Sequence, residues 1–148
     1  MLRIPIRPKV ELDPAGRFLL VTEKLTSLID VYGVASVGSL SGPTSMPAVG
    51  AYPVGMAFSH RSSRPELIVD DGLGPGVPSG TGAVTAYRFA DGQPHLVDGP
   101  VPDHQVAPCW MVISNDVCLL TLQMLIATPS PAFESTRTVR SACWAPTG

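Results

Sequence analysis

Apolar residues in this chain recur at every second position over short stretches, and clusters of Gly, Pro, Asp and Ser separate the stretches. Residues 83–89 (AVTAYRF) and 29–34 (IDVYGV) alternate in this way, as a strand with one buried face does. Residues 66–69 (ELIV) and 53–59 (PVGMAFS) are compact apolar runs bounded by turn residues, and 53–59 carries no charge. The pattern predicts strands at 53–59, 66–69 and 83–89, a hairpin turn at Asp91-Gly92, and a weak fourth strand near 95–97. Residues 72–82, rich in Gly and Pro, read as a long surface loop between the second and third strands.

The stretches repeat. Residues 53–59 return as 108–114 (PCWMVIS), a displacement of 55 that keeps Pro, Met and Ser. Residues 29–34 return as 84–89 at the same displacement, with Tyr32 matched to Tyr87. Residues 19–21 (LLV) match 67–69 (LIV) at 48, and the missing seven positions fall in the longer 72–82 loop. Gly42-Pro43 and Gly99-Pro100 mark a fourth matching place. Four-stranded antiparallel units at roughly 40–50 residues are the signature of propeller blades, with the uncharged first strand innermost. A β-sandwich of similar strands is the competing arrangement, and the shared register of the pairs favours blades. The expected fold is all-β, a partial β-propeller of about two and a half four-stranded antiparallel blades.

Composition agrees with this. Of 148 residues, 45% are hydrophobic and only 15% charged, and 14 glycines with 16 prolines make up a fifth of the chain, which excludes helical bundles and coiled coils. The net charge of −2 comes with no basic stripe, so nucleic acid is not an expected partner. The most apolar stretch, 117–127, contains Thr121 and Gln123 and falls short of the ~20 residues that cross a bilayer, so no membrane span is expected. The first residues, MLRIPIRPKVELD, build no signal-peptide centre, and the sequence as written reads as cytoplasmic. Cys109, Cys118 and Cys143 have neither metal-ligand spacing nor the even count of a disulfide framework.

Residues 12–23 (LDPAGRFLLVTE), followed by 29–32 (IDVY), resemble a blade of the lactonase-family seven-bladed β-propellers, which include 6-phosphogluconolactonase-type and 3-carboxymuconate-cyclase-type proteins. Residues 107–110 (APCW) and 113–116 (ISND) resemble the start of the next blade. The resemblance spans 10–116, and surface proteins with YVTN-type repeats share its motifs. It implies a parent protein that hydrolyses a lactone or cyclises a muconate at the mouth of a central channel, with a small lactone or sugar acid as partner and no cofactor. A non-catalytic YVTN-type binding scaffold is the alternative. A ring of seven such units takes ~350 residues, so the chain is expected to be an inactive fragment that self-associates through open blade edges.

After Asp116 the register is lost. The first 116 residues hold 13 of the 14 glycines and 11 of the 12 acids. One G inserted before the Val117 codon gives a displaced frame that can read as a blade: Met124 with Leu125 reads as Ala there, and Phe133 with Glu134 as Arg. Residues 1–116 are therefore read as blade repeats and 117–148 as an aberrant tail, the frameshifted remainder of the next blade. The other reading is natural divergence, with 117–127 a buried strand or short helix and a proline-rich tail behind it.

Lactone hydrolysis needs a base or metal to activate water and a donor site for the developing oxyanion. His60, His95 and His104 are scattered, and no two have metal-ligand spacing with a carboxylate. Some blades of the family carry a Pro-His pair leading into the inner strand, whereas here those places read Pro53-Val54 and Pro108-Cys109. The channel-mouth candidates are His104 and Gln105, before one inner strand, and Tyr52, before the preceding one. Asp70-Asp71 offers oxygen ligands for calcium or simply ends a strand. The 72–80 loop lacks the Lys and helix of a phosphate cradle. Cys109-Trp110 reads mostly as core, with Trp110 facing the channel as the functional option.

Overall fold

The computed structural model describes residues 9–59, 65–72, 74, 82–102, 108–113, 120–124 and 136–137, and of 108–110, 120–124 and 136–137 only the backbone. Every regular element is a strand, and no helix occurs among the described residues. The first sheet is the meander β1 (Val10–Leu12), β2 (Phe18–Glu23), β3 (Leu28–Val34) and β4 (Leu40–Pro47). The second is the meander β5 (Pro53–Phe58), β6 (Glu66–Asp71), β7 (Ala83–Ala90) and β8 (Gln93–Pro102). A third sheet joins β9 (Pro108–Ile113) to β10 (Leu120–Met124) and β10 to β11 (Thr136–Arg137). All pairings are antiparallel. The expected all-β class and its four-stranded antiparallel units are thus observed in the first two sheets, with Pro53–Phe58 and Pro108–Ile113 in separate sheets.

Turn chemistry explains where the strands begin. Asp13 is 5% exposed, and its Oδ1 accepts the N–H groups of Arg17 (2.6 Å) and Phe18 (2.7 Å), while Gly16 takes φ +67. That carboxylate closes the turn into β2 by supplying acceptors the backbone lacks there. Asp91 and Gly92, φ +52 and +74, form the two-residue connection between Ala90 and Gln93, the type I′ geometry that an Asp-Gly pair favours. Gly42 and Gly99 both take φ +109 beside register slips in β4 and β8, where a Cβ would sit 3.2 Å from the Val31 carbonyl oxygen and 2.8 Å from that of Val84. The two Gly-Pro places that match in sequence therefore carry the same local backbone.

Two strands run longer than the sequence pattern indicates. The weak strand near 95–97 is the ten-residue β8, whose prolines hide its alternation; it is an exposed edge strand, the place where a sheet tolerates proline. β6 continues through Asp70 to end at Asp71, both buried, so the pair closes the strand while still paired within the sheet. Residues 120–124 form a strand against β9, the strand option of the two open for 117–127.

The sheets stack in one sense. Leu19 lies opposite Tyr32 and Leu67 opposite Tyr87, so the two meanders superpose at displacements of 48 and 55. Leu20, Ile29 and Val31 of the first sheet are buried against Met56, Phe58, Leu67, Val69, Tyr87 and Phe89 of the second. The opposite face of the second sheet packs Ala57, Ile68 and Val84 against Met111 and Ile113 of the third. Ile68 and Val84 are the displaced counterparts of Leu20 and Ile29, and Met111 and Ile113 those of Met56 and Phe58. Each sheet thus turns the same face toward its successor. Full burial of each such side chain is worth about 1.5–3 kcal/mol. Phe89 adds edge-on contacts to Phe18 (5.6 Å) and Phe58 (5.4 Å).

Candidate functional site

The sheets meet chiefly through their first two strands: β5 touches β1 and β2 on one side and β9 on the other. Thr22, fully buried, fastens the first of these seams by donating its hydroxyl to the Val54 carbonyl at 3.0 Å while accepting the Lys9 N–H at 3.0 Å. Toward the outer strands the first two sheets are parted by a cleft of about 280 Å³, lined by Phe18, Val31, Gly42, Thr44 and Gln93.

Of the channel-mouth candidates, Tyr52 is placed at the entrance to β5, while His104 and Gln105 lie outside the described residues. Tyr52 is held at φ +59, a left-handed conformation that a bulky side chain adopts only when its surroundings impose it. Its N–H donates to Ser27 Oγ (3.2 Å), and its carbonyl accepts the Gly72 N–H (2.9 Å). Its ring lies on Gly74, where a Cβ would come within 2.3 Å of ring carbon. The residue joins the β2–β3 turn to the end of β6.

Beneath the segment leading to Tyr52, Asp71, Thr85 and Tyr87 come together on one face of the second sheet. Thr85 donates its hydroxyl to Asp71 Oδ2 (2.8 Å), and Gly50 packs so closely on that carboxylate that no side chain fits there. The Val49 N–H donates to the Tyr87 hydroxyl at 2.9 Å. Burial pushes the Tyr87 phenol above its ordinary value; the Val49 N–H pulls the other way, and the negative charge of Asp71 raises it further. Tyr87 is therefore a neutral phenol throughout the physiological range. Sequence reasoning did not single out this cluster. Its signal was the two-residue spacing of Thr85 and Tyr87, which puts both on one face, together with an acid at the paired end of β6.

Asp70 faces the other way, since successive residues of a strand alternate, and its Oδ1 accepts the Gly55 N–H at the register slip of β5. The two carboxylates therefore do not converge on a shared cation, and among the described residues no group of three or more His, Cys, Asp or Glu could hold a metal. Asp71 is 4% exposed, so it is closed to a substrate. His95 stands exposed on the outer strand β8. At the hairpin end a second cleft, about 400 Å³, is lined by Asp13, Arg17, Phe18, Pro65, Phe89 and Asp91. There the Arg17 guanidinium lies 5.8 Å from the Phe18 ring centre, and Asp13 is committed to its turn. The clusters thus fasten sheet to sheet and turn to strand. No family model matches the chain, and no curated protein matches it.

Proposed function

We propose that the chain is a run of blades from a lactonase-family β-propeller, whose complete ring hydrolyses a sugar lactone or cyclises a muconate at the mouth of its channel, and that the chain alone is inactive. The observation that carries this reading is the stacking of successive sheets in one sense under the 55-residue displacement, with the uncharged strand β5 between its neighbours. A sandwich of two facing sheets gives no reason for a third sheet to repeat the same contact. Tyr52, His104 and Gln105 are the residues this reading assigns to the channel mouth, with a small lactone or sugar acid as partner and no cofactor. The tail 117–148 is read as the frameshifted remainder of the next blade.

A YVTN-type binding scaffold is the second reading. It is favoured by the replacement of the family's Pro-His pair by Pro53-Val54 and Pro108-Cys109, and by the commitment of Asp13, Asp70 and Asp71 to turns and strands.

The test is lactone opening, followed by proton release in a pH-stat, for the 148-residue chain and for a chain restored by one base before codon 117 and translated onward. The expected result is no turnover above the uncatalysed rate for the first and measurable turnover for the second. Turnover by the 148-residue chain refutes the claim that the chain alone is inactive, and a stop codon soon after 117 in the restored frame refutes the frameshift reading of the tail. A folded but inactive restored protein favours the scaffold.

A further inference from the structure

On the face of the first sheet turned away from the second, Asp30 is 6% exposed, and its Oδ1 accepts no hydrogen bond from any described residue. A carboxylate taken out of water without a counter-charge is costly, so the fold has reason to bring one to it. Direct cross-strand partners share a face, so the pairs Val10–Val21 and Val21–Asp30 put Val10 on the side of Asp30, and Glu23 joins them two residues along β2. Lys9 is engaged with Glu11, which lies on the opposite face, at 3.3 Å. The counter-charge of Asp30 therefore has to be sought elsewhere in the chain.

The repeat shows where. β1 matches β5 at a displacement of 46: Leu12 and Val10 pair with Leu19 and Val21 as Phe58 and Met56 pair with Leu67 and Val69. One residue earlier, Lys9 donates its N–H to Thr22 Oγ1, and Gly55 donates its own to Asp70, the displaced counterpart of Thr22. Pro53 then pairs with Asp71 beyond the slip, on the face that also carries Thr85. By the same displacements the first sheet has Arg7, Glu23 and Asp30 where the second has Pro53, Asp71 and Thr85. In the second sheet the Thr85 hydroxyl serves Asp71 at 2.8 Å. In the first an acid replaces that donor, and an arginine replaces the proline on the same face. Val49, whose N–H meets the Tyr87 hydroxyl, has Arg3 as its counterpart, with Tyr32 for Tyr87. Residues 1–8 hold these two arginines and no acid. We propose that residues 1–8 lie over this face of the first sheet as residues 49–53 lie over that of the second, with the Arg7 guanidinium paired to the Asp30 carboxylate and Arg3 docked at Tyr32. The inference rests on the repeat of the sheets and is independent of the reaction proposed above.

The test is limited trypsin digestion of the full chain, with the products resolved by mass. Trypsin cuts after Arg3 but not between Arg7 and Pro8, so position 7 can be changed without moving a cut, and cleavage tracks the population in which the segment is free. In the wild type, cutting after Arg3 should be slower by about tenfold or more than in a free peptide of residues 1–12, at every protein concentration. Arg7→Gln and Asp30→Asn should each restore the rate of the peptide, and Arg7→Lys, which keeps the charge, should keep the protection. Cutting after Arg88, inside β7, reports opening of the sheets themselves; if Asp30→Asn raises it, the two Arg7 variants decide alone. A wild-type chain cut after Arg3 as fast as the peptide overturns the proposal. So does protection that Arg7→Gln leaves intact, or that Arg7→Lys loses as fully as Arg7→Gln. Protection that grows with protein concentration overturns it too, since that assigns the face to a second copy of the chain.

Discussion

Replacing Asp13 tests whether one carboxylate sets the entry to β2. Its Oδ1 accepts two backbone N–H groups, from Arg17 at 2.6 Å and Phe18 at 2.7 Å, and the residue is 5% exposed. Hydrogen bonds to a charged acceptor are worth about 1.5–3 kcal/mol each, and part of that is recovered when water reaches the vacated turn, so Asp13→Ala should cost about 2–4 kcal/mol. Asp13→Asn keeps an acceptor oxygen but not its charge, and neutral bonds are about half as strong, so its cost should be about 1–2 kcal/mol. With an m-value of about 1.5 kcal/mol per molar urea, the alanine variant shifts the unfolding midpoint down by about 1.3–2.7 M. Urea titration followed by circular dichroism reads the shift, at protein concentrations low enough to avoid association. An alanine variant within about 0.5 kcal/mol of the wild type, the range of ordinary surface changes, would refute the assignment. An asparagine variant as stable as the wild type would show that charge plays no part.

Thr22→Val keeps the shape of a fully buried side chain while removing its bonds to the Val54 carbonyl and the Lys9 N–H, and should cost about 1–3 kcal/mol; Thr22→Ser, which retains the hydroxyl, should lose less in the same urea titration. Tyr87 has its phenol pKa raised in the fold, so the folded state holds the proton more tightly than the unfolded chain. Its contribution is complete below the unfolded value of about 10 and is lost as pH climbs from there through the higher folded value. Tyr87→Phe should therefore flatten the fall in the urea midpoint above about pH 10. A fall of unchanged slope in the variant would assign the effect to other groups.

Much of the β architecture was legible because strand alternation and turn chemistry are local signals. Asp91-Gly92 requires two positive φ values that few dipeptides adopt, and alternation over 83–89 survives because that strand lies inside a sheet. β8 was underestimated for the opposite reason: at an exposed edge nothing selects an apolar face, and its prolines break the pattern while costing the sheet little. Asp70 and Asp71 misled in another way. Two adjacent acids suggest a cation or a strand end; Asp71 does end β6, but the two carboxylates point to opposite faces, one accepting a backbone N–H at a register slip and the other a threonine hydroxyl. Neither partner is predictable from spacing, because both arise from contacts between strands. The cluster of Asp71, Thr85 and Tyr87 escaped for the same reason.

Side-chain parity decides whether the 55-residue match is a structural repeat or a coincidence of composition. Strand side chains alternate with a period of two, so a slip of one residue in any pairing would send the whole set to the opposite face. Leu19 and Leu67, Tyr32 and Tyr87, and Met56 and Met111 come from the second, third and first strands of their sheets, and nothing in their chemistry ties the orientation of one pair to that of another. All three pairs nevertheless point the same way along the stack. The seven positions between the two displacements are taken up between β6 and β7, outside the paired strands, so the difference in spacing leaves the parity intact. A chain that conserves facing across two seams has been shaped by the packing of one sheet on the next. That constraint acts on the interior of the stack and leaves the residues before each inner strand free to vary, which is why the fold reads more clearly than the chemistry.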